Sequence, residues 1–168
     1  MSTIWITGGS SGIGFATAKE FLSNGWQVII SSSNKEKLLN AKNRLTNNIN
    51  ANSLHIIPCD ISKKKDVNDT VDYIEDKLGK IDIALLNASA YSPNKDQLFD
   101  IENYELLVDV NIKGTLFCVN RLKEYMSGRN NTIAIISSPL GYRGWPTAGA
   151  YGISKAAQLS LSESLYFD

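Results

Sequence analysis

The chain has 168 residues, enough for one substantial hydrophobic core. Its 43% hydrophobic and 20% charged content is ordinary globular usage, and seventeen basic residues balance seventeen acidic ones, so no charge excess draws it to nucleic acid or to an anionic membrane. With two cysteines lacking metal-ligand spacing and one histidine, neither a zinc centre nor a serine-hydrolase triad can be assembled.

The first predicted strand, 3–7, contains Thr3-Ile4-Trp5-Ile6, far shorter than a secretory core or a membrane span. A cytoplasmic protein is expected, and Cys59 and Cys118 read as reduced, buried thiols. The strand runs directly into Thr7-Gly8-Gly9-Ser10-Ser11-Gly12-Ile13-Gly14, and a helix is predicted over 12–24. Strand, glycine turn and amphipathic helix together present backbone N–H groups and a positive helix end to a pyrophosphate. The glycines at 8, 12 and 14 give the spacing GxxxGxG, not the GxGxxG of the standard dinucleotide fingerprint.

The second strand, 27–32, ends in Ser31-Ser32-Ser33 and precedes a helix over 34–48. An acid at that strand end would bind the adenosine ribose hydroxyls and repel a 2′-phosphate. None is present. Ser32 and Ser33 leave room for a phosphate, with Lys35 and Lys37 just beyond, although no arginine stands near Ser33.

The third strand, 53–58, carries the lone His55, read as a strand residue, and ends at Cys59-Asp60-Ile61. The helix predicted over 62–78 opens on Lys63-Lys64-Lys65, followed by Asp66, Asp69 and Asp72, the pattern of a solvated face. A fourth strand, 81–86, leads to Asn87-Ala88-Ser89. In the long helix predicted over 100–127, Leu107, Asn111, Cys118 and Leu122 share a face, so the Asn111 amide points where apolar groups dominate and must find partners. The fifth strand, 132–138, precedes a helix over 149–167. Gly25, Asn47-Asn48, Gly79 and Gly128 mark helix ends. Strict alternation of strand and helix predicts right-handed crossovers and a parallel sheet in a single α/β domain over 1–168.

The fifth strand ends at Ser138, thirteen positions before Tyr151 in Tyr151-Gly-Ile-Ser-Lys155. A Tyr and a Lys four apart share one face of a helix. An ammonium there favours the ionised form of a phenol whose free pKa, about 10, is too high for efficient proton exchange near neutrality. Ser138 is placed to hydrogen-bond the oxygen that the tyrosine protonates. The spacing recurs at Tyr73 to Lys77 and Tyr91 to Lys95, but neither copy has a serine thirteen positions upstream, and Pro93 interrupts the second. Both are read as coincidences.

With the glycine turn and one complete Tyr-x-x-x-Lys in place, the chain resembles the short-chain dehydrogenase/reductase family along essentially its whole length. The resemblance implies a Rossmann-like doubly wound parallel sheet and catalytic roles for Asn111, Ser138, Tyr151 and Lys155. It implies a nicotinamide cofactor held by Thr7, Gly8, Ser10, Ser11, Gly12, Ile13, Gly14, Ser32, Ser33, Asn87, Ala88, Tyr151 and Lys155, with Asp60 and Ile61 at the adenine. It also implies a water at Asn111 that relays protons from the lysine. The second-strand argument makes NADP the preferred cofactor and NAD the alternative.

Two features depart from the family pattern. Where relatives commonly read Asn-Asn-Ala-Gly, this chain has Leu86-Asn87-Ala88-Ser89, so the loop beside the nicotinamide ribose is expected to differ in shape. Five strands are visible, without the family's sixth and seventh. The expected activity is interconversion of a ketone or aldehyde and an alcohol, acting on a small molecule. A catalytically idle cofactor-binding fragment or signalling protein is the alternative. Small residues at Ala148, Gly149, Ala150, Gly152, Ala156 and Ala157 allow close helix approach, and if the chain ends at Asp168 the fifth strand would be an unpaired sheet edge. A homodimer or homotetramer is expected.

Overall fold

The five apolar runs form five parallel strands in the computed structural model of the chain, which describes residues 1–46, 51–91 and 101–167. They are β1 (Thr3–Thr7), β2 (Gln27–Ser32), β3 (Leu54–Pro58), β4 (Ile83–Leu86) and β5 (Thr132–Ile135), in the order β3-β2-β1-β4-β5. This is a Rossmann-like doubly wound sheet. Every residue of β1 is buried, as a central parallel strand covered on both faces must be.

Side chains of a strand alternate between faces, and the two faces build two cores. Trp5, Ile29 and Ala84 join Val67 and Val71 of α3 (Lys64–Tyr73) and Cys118 and Leu122 of α5 (Thr115–Met126). Ile4, Ile6, Val28 and Ile30 pack instead on Ala18 and Leu22 of α1 (Gly12–Ser23) and on Leu38, Ala41 and Leu45 of α2 (Lys35–Thr46).

Several boundaries differ from expectation. β4 begins at Ile83, two residues later than expected, although the Asp82 N–H still donates to Thr3 O at 3.0 Å and the Asp82 carboxylate accepts from the Thr3 N–H at 2.7 Å. β5 stops at Ile135, short of the expected 138. Its ladder ends with β4 at Leu86, although the Ile136 N–H still donates to Leu86 O at 3.0 Å. The chain then turns toward α6 (Gly149–Phe167), where the Ser137 hydroxyl donates to Lys155 O. α3 starts two residues late and continues as a π-helical turn, Ile74–Leu78, closed at Gly79 with φ +127°.

The long helix is three pieces. α4 (Ile101–Leu107) passes into a π-helical segment, Val108–Gly114, before α5. Asn47-Asn48 and the predicted helix start at 100 lie outside the described residues. β4 is the only strand neighbour of β5 among the described residues.

Charged and polar residues outside the site have structural roles. Lys65 pairs with Asp69, and Asp72 with Arg121, as a solvated helix face should. His55 lies 3.1 Å from the Gln27 amide, and burial, then nearby Lys42, lowers its pKa. Cys59 and Cys118 are free and buried, and burial pushes the Cys59 thiol up to about 11. No described helix is long and apolar enough to cross a membrane, and no metal-ligand cluster occurs among the described residues.

Candidate active site

The site lies beyond the carboxyl ends of the strands, where open parallel sheets bind ligands. Gly8, at φ +65°, turns the chain out of β1. A Cβ on Gly8 would stand 2.8 Å from Ala88 Cα, and one on Gly14 would stand 2.6 Å from both Asn87 Nδ2 and Gly8 O. The glycines thus let two strand ends close on each other. Asn87 fastens that contact, its amide donating to Thr7 O and Gly8 O, each at 3.1 Å.

Thr7 and Gly14 are therefore supports. The buried Thr7 hydroxyl accepts from the Asn87 and Ala88 N–H groups, each at 3.0 Å. The other residues of the predicted cofactor set, apart from Tyr151 and Lys155, line an open cleft of about 820 Å³: Gly8, Ser10, Ser11, Gly12, Ile13, Ser32, Ser33, Asp60, Ile61, Asn87 and Ala88. Ser11 makes no side-chain cap on α1, so the first N–H groups of that helix have no side-chain oxygen competing with an anion. The cleft thus fits a dinucleotide.

At its far end, Ser32, Ser33, Asn34 and Lys37 form the wall. The Asn34 side chain accepts from the Lys37 N–H and holds the first turn of α2, which sets Lys37 on the cleft. Lys35 is not part of that wall. Burial works against the charge of Asp60, but the Ser62 hydroxyl and amide and the Lys63 ammonium outweigh it and lower its pKa.

At the other end the four predicted catalytic residues come together. Asn111 is fully buried. Its Oδ1 accepts from the Ala90 N–H at 2.7 Å, and its Nδ2 donates to Ala90 O and to the Ser154 hydroxyl, each at 3.0 Å. The π-helical segment surrounds this anchor, so the helix changes its pitch where one side chain is fixed from outside. The half-buried Tyr151 has the Ser138 and Ser89 hydroxyls near its phenol. The Lys155 ammonium lies 5.5 Å from the Tyr151 ring centroid and donates to Ile136 O and Gln158 Oε1, each at 2.9 Å.

One expectation is reversed. The phenol's pKa is raised: burial dominates, and the nearby Ser138 and Ser89 hydroxyls only partly oppose it. Burial also brings Lys155 down to about 8. The ammonium's bonds run to the protein, and it is 2% exposed.

Three residues of the site were not expected. Ser89, read only as a change in loop shape, sets its hydroxyl 3.1 Å from Asn111 Oδ1. Tyr91, read as a coincidental copy, packs edge-on against Tyr151 with ring centroids 4.8 Å apart. Tyr73, the other coincidental copy, is 51% exposed and away from the site. Gln158 links Lys155 to Asn111. Its signal was present, because Tyr151, Ser154, Lys155 and Gln158 follow the i, i+3, i+4, i+7 pattern of one helix face.

Comparison with known proteins agrees with this architecture. The family model for short chain dehydrogenases matches residues 2–168. An uncharacterized oxidoreductase of Staphylococcus aureus (strain MW2) is 30% identical over 164 residues, spanning 95% of this chain and 68% of the relative. A short chain dehydrogenase from Bacillus anthracis superposes with a TM-score of 0.92 at 24% identity, over 99% of this chain and 67% of that one. A Tyr-to-Phe variant of ElxO with NADPH bound superposes with a TM-score of 0.88 at 28% identity, over 95% of this chain and 64% of that one.

Proposed function

Because the chain belongs to the short-chain dehydrogenase family, whose members are oxidoreductases that use NAD(P), we propose that it interconverts a ketone or aldehyde and an alcohol with NADP as the preferred cofactor. The observation that carries this reading is the convergence of the Ser138 hydroxyl and the Lys155 ammonium on the Tyr151 phenol, beside a glycine-walled cleft. A bound nicotinamide cofactor supplies the hydride.

The chain's own residues handle the proton and the position of the substrate. Tyr151 gives its phenol proton to the substrate oxygen, and the raised pKa keeps it in the proton-bearing form at neutral pH. Ser138 donates a hydrogen bond to that same oxygen. Its hydroxyl oxygen accepts from the Leu140 N–H at 3.2 Å, which leaves the hydroxyl proton free to donate. Lys155, protonated below about 8, favours the phenolate that remains after transfer. Asn111 holds the Ser89–Ala90 loop against Tyr151. Consumption of NADPH with a panel of small ketones and aldehydes tests the activity. Binding without consumption would favour the idle alternative.

The cofactor preference rests on the absence of an acid at the end of β2 and on Lys37 in the cleft wall. A hydrogen bond to a charged group contributes about 1.5–3 kcal/mol, so NADPH should bind about ten- to a hundredfold more tightly than NADH. Lys37→Ala should remove most of that difference and leave NADH affinity unchanged. Equal affinity in the wild type, or a preference for NADH, would defeat the reading.

Self-association belongs to the same proposal. Tyr104 and Leu106 of α4, Leu116 of α5 and Ile153 of α6 are large apolar residues left exposed, and burial in a homodimer or homotetramer would remove them from water. Light scattering should give a mass at least twice that of the chain; a monomer at working concentration would contradict it.

A further inference from the structure

We infer that Gln158 is a positioning residue for Lys155, a neutral clamp that holds the ammonium from its buried side and ties it to the Asn111 main chain. The inference deepens the proposed function, since it concerns the same Tyr151 and Lys155 pair, and it rests on that reading for its purpose.

Gln158 is 2% exposed, as is Lys155, and each of its polar groups is engaged. Its Oε1 accepts from Lys155 Nζ at 2.9 Å. Its Nε2 donates to Asn111 O and to the Thr115 hydroxyl oxygen, each at 2.9 Å, while that hydroxyl donates to Asn111 O at 2.7 Å. The orientation of the amide is forced. Turned over, it would set an NH₂ against an ammonium and a carbonyl oxygen against the Asn111 oxygen, losing both bonds. Gln158 thus joins the Lys155 ammonium to the Asn111 main chain through one side-chain amide.

The chemistry of the clamp follows from its neutrality. An ammonium carries three donors, and Ile136 O and Gln158 Oε1 take two of them. Neither acceptor is charged, so neither cancels the charge of the ammonium, which lies 5.5 Å from the Tyr151 ring centroid. A carboxylate in place of the amide would form an ion pair and offset that charge beside the phenol. A hydrocarbon would leave the buried cation one acceptor short. Tyr151 is the titratable group beside the ammonium. Burial is what moves the Lys155 pKa, with no carboxylate contribution from α6, the Ile136 segment or the π-helical segment.

The test reads the titration of Lys155 in the cofactor-free 168-residue chain, by NMR of isotope-labelled lysine Cε resonances, with the Lys155 signal assigned by its absence in Lys155→Arg. The wild-type resonance should titrate at about 8. Gln158→Glu should move it up by about one unit or more, the range for a carboxylate within hydrogen-bonding reach. Gln158→Met, similar in length and apolar, should move it down. A variant with only a structural fault would not shift one group in opposite directions. Titrations that stay in place, or that move the same way in both variants, would overturn the clamp. If Gln158→Glu does not fold, Gln158→Met alone decides, and anything other than a downward shift overturns it. Opposite shifts in a chain that reduces no carbonyl would sink the proposed reaction and leave the clamp standing, whereas unmoved titrations in an active enzyme would sink the clamp alone.

Discussion

Tyr151→Phe should lower carbonyl turnover by about 10²- to 10⁴-fold, the usual contribution of a positioned acid or base, while NADPH affinity changes little. Only the phenol oxygen is lost, and the ring contacts with Tyr91 and with the Lys155 ammonium persist. The two effects separate in steady-state kinetics with a parallel binding titration. Tyr73→Phe is the matched control, because Tyr73 opens another Tyr-x-x-x-Lys copy and is largely exposed. Equal losses in the two variants would mean that the proton passes elsewhere.

Asn111→Leu should cost stability as well as turnover. The substitution keeps the γ-branched shape but removes the acceptor for the Ala90 N–H, the donor to Ala90 O and the donor to Ser154. A buried group left unpaired costs about 1–3 kcal/mol. Ala90 is only half-buried, so part of its cost is recovered from water. A net loss of about 2–4 kcal/mol is expected, read as a lower urea midpoint with an unchanged slope. Asn111→Asp, which retains the acceptor, should fall between the two. A midpoint unmoved by Asn111→Leu would show that the loop has other supports.

These two residues were legible because their signals are local. Tyr151 and Lys155 sit at a helical spacing beneath a strand-end serine, and Asn111 is a polar residue on an apolar helix face. The five strands were equally plain, since a parallel sheet covered on both faces needs continuous apolar runs. The rest depends on neighbours distant in sequence. The π-helical turn about Asn111 follows from bonds to Ala90 and Ser154, 21 and 43 positions away. β5 is shorter than its apolar run because its partner ends at Leu86.

Ser89 looks like an ordinary loop residue until the fold brings Tyr151 beside it, whereas Gln158 was readable from its helical spacing to Lys155. The sign of the Tyr151 shift has the same origin. Spacing shows which charge lies nearby, whereas burial, which dominates here, belongs to the folded chain. Tyr91 enters the site through the loop after β4, a path that no helical spacing encodes.

The central claim, that this cleft supports hydride transfer to a carbonyl whose oxygen Tyr151 protonates, is tested most directly with NADPH deuterated at the transferring position of the nicotinamide. Incubated with a ketone or aldehyde that the wild-type chain consumes, it should yield an alcohol labelled on the carbinol carbon, and Tyr151→Phe should suppress that product while still binding the cofactor. Label that stays in the cofactor with every carbonyl offered, or labelled alcohol formed as fast by Tyr151→Phe as by the wild type, would contradict the claim.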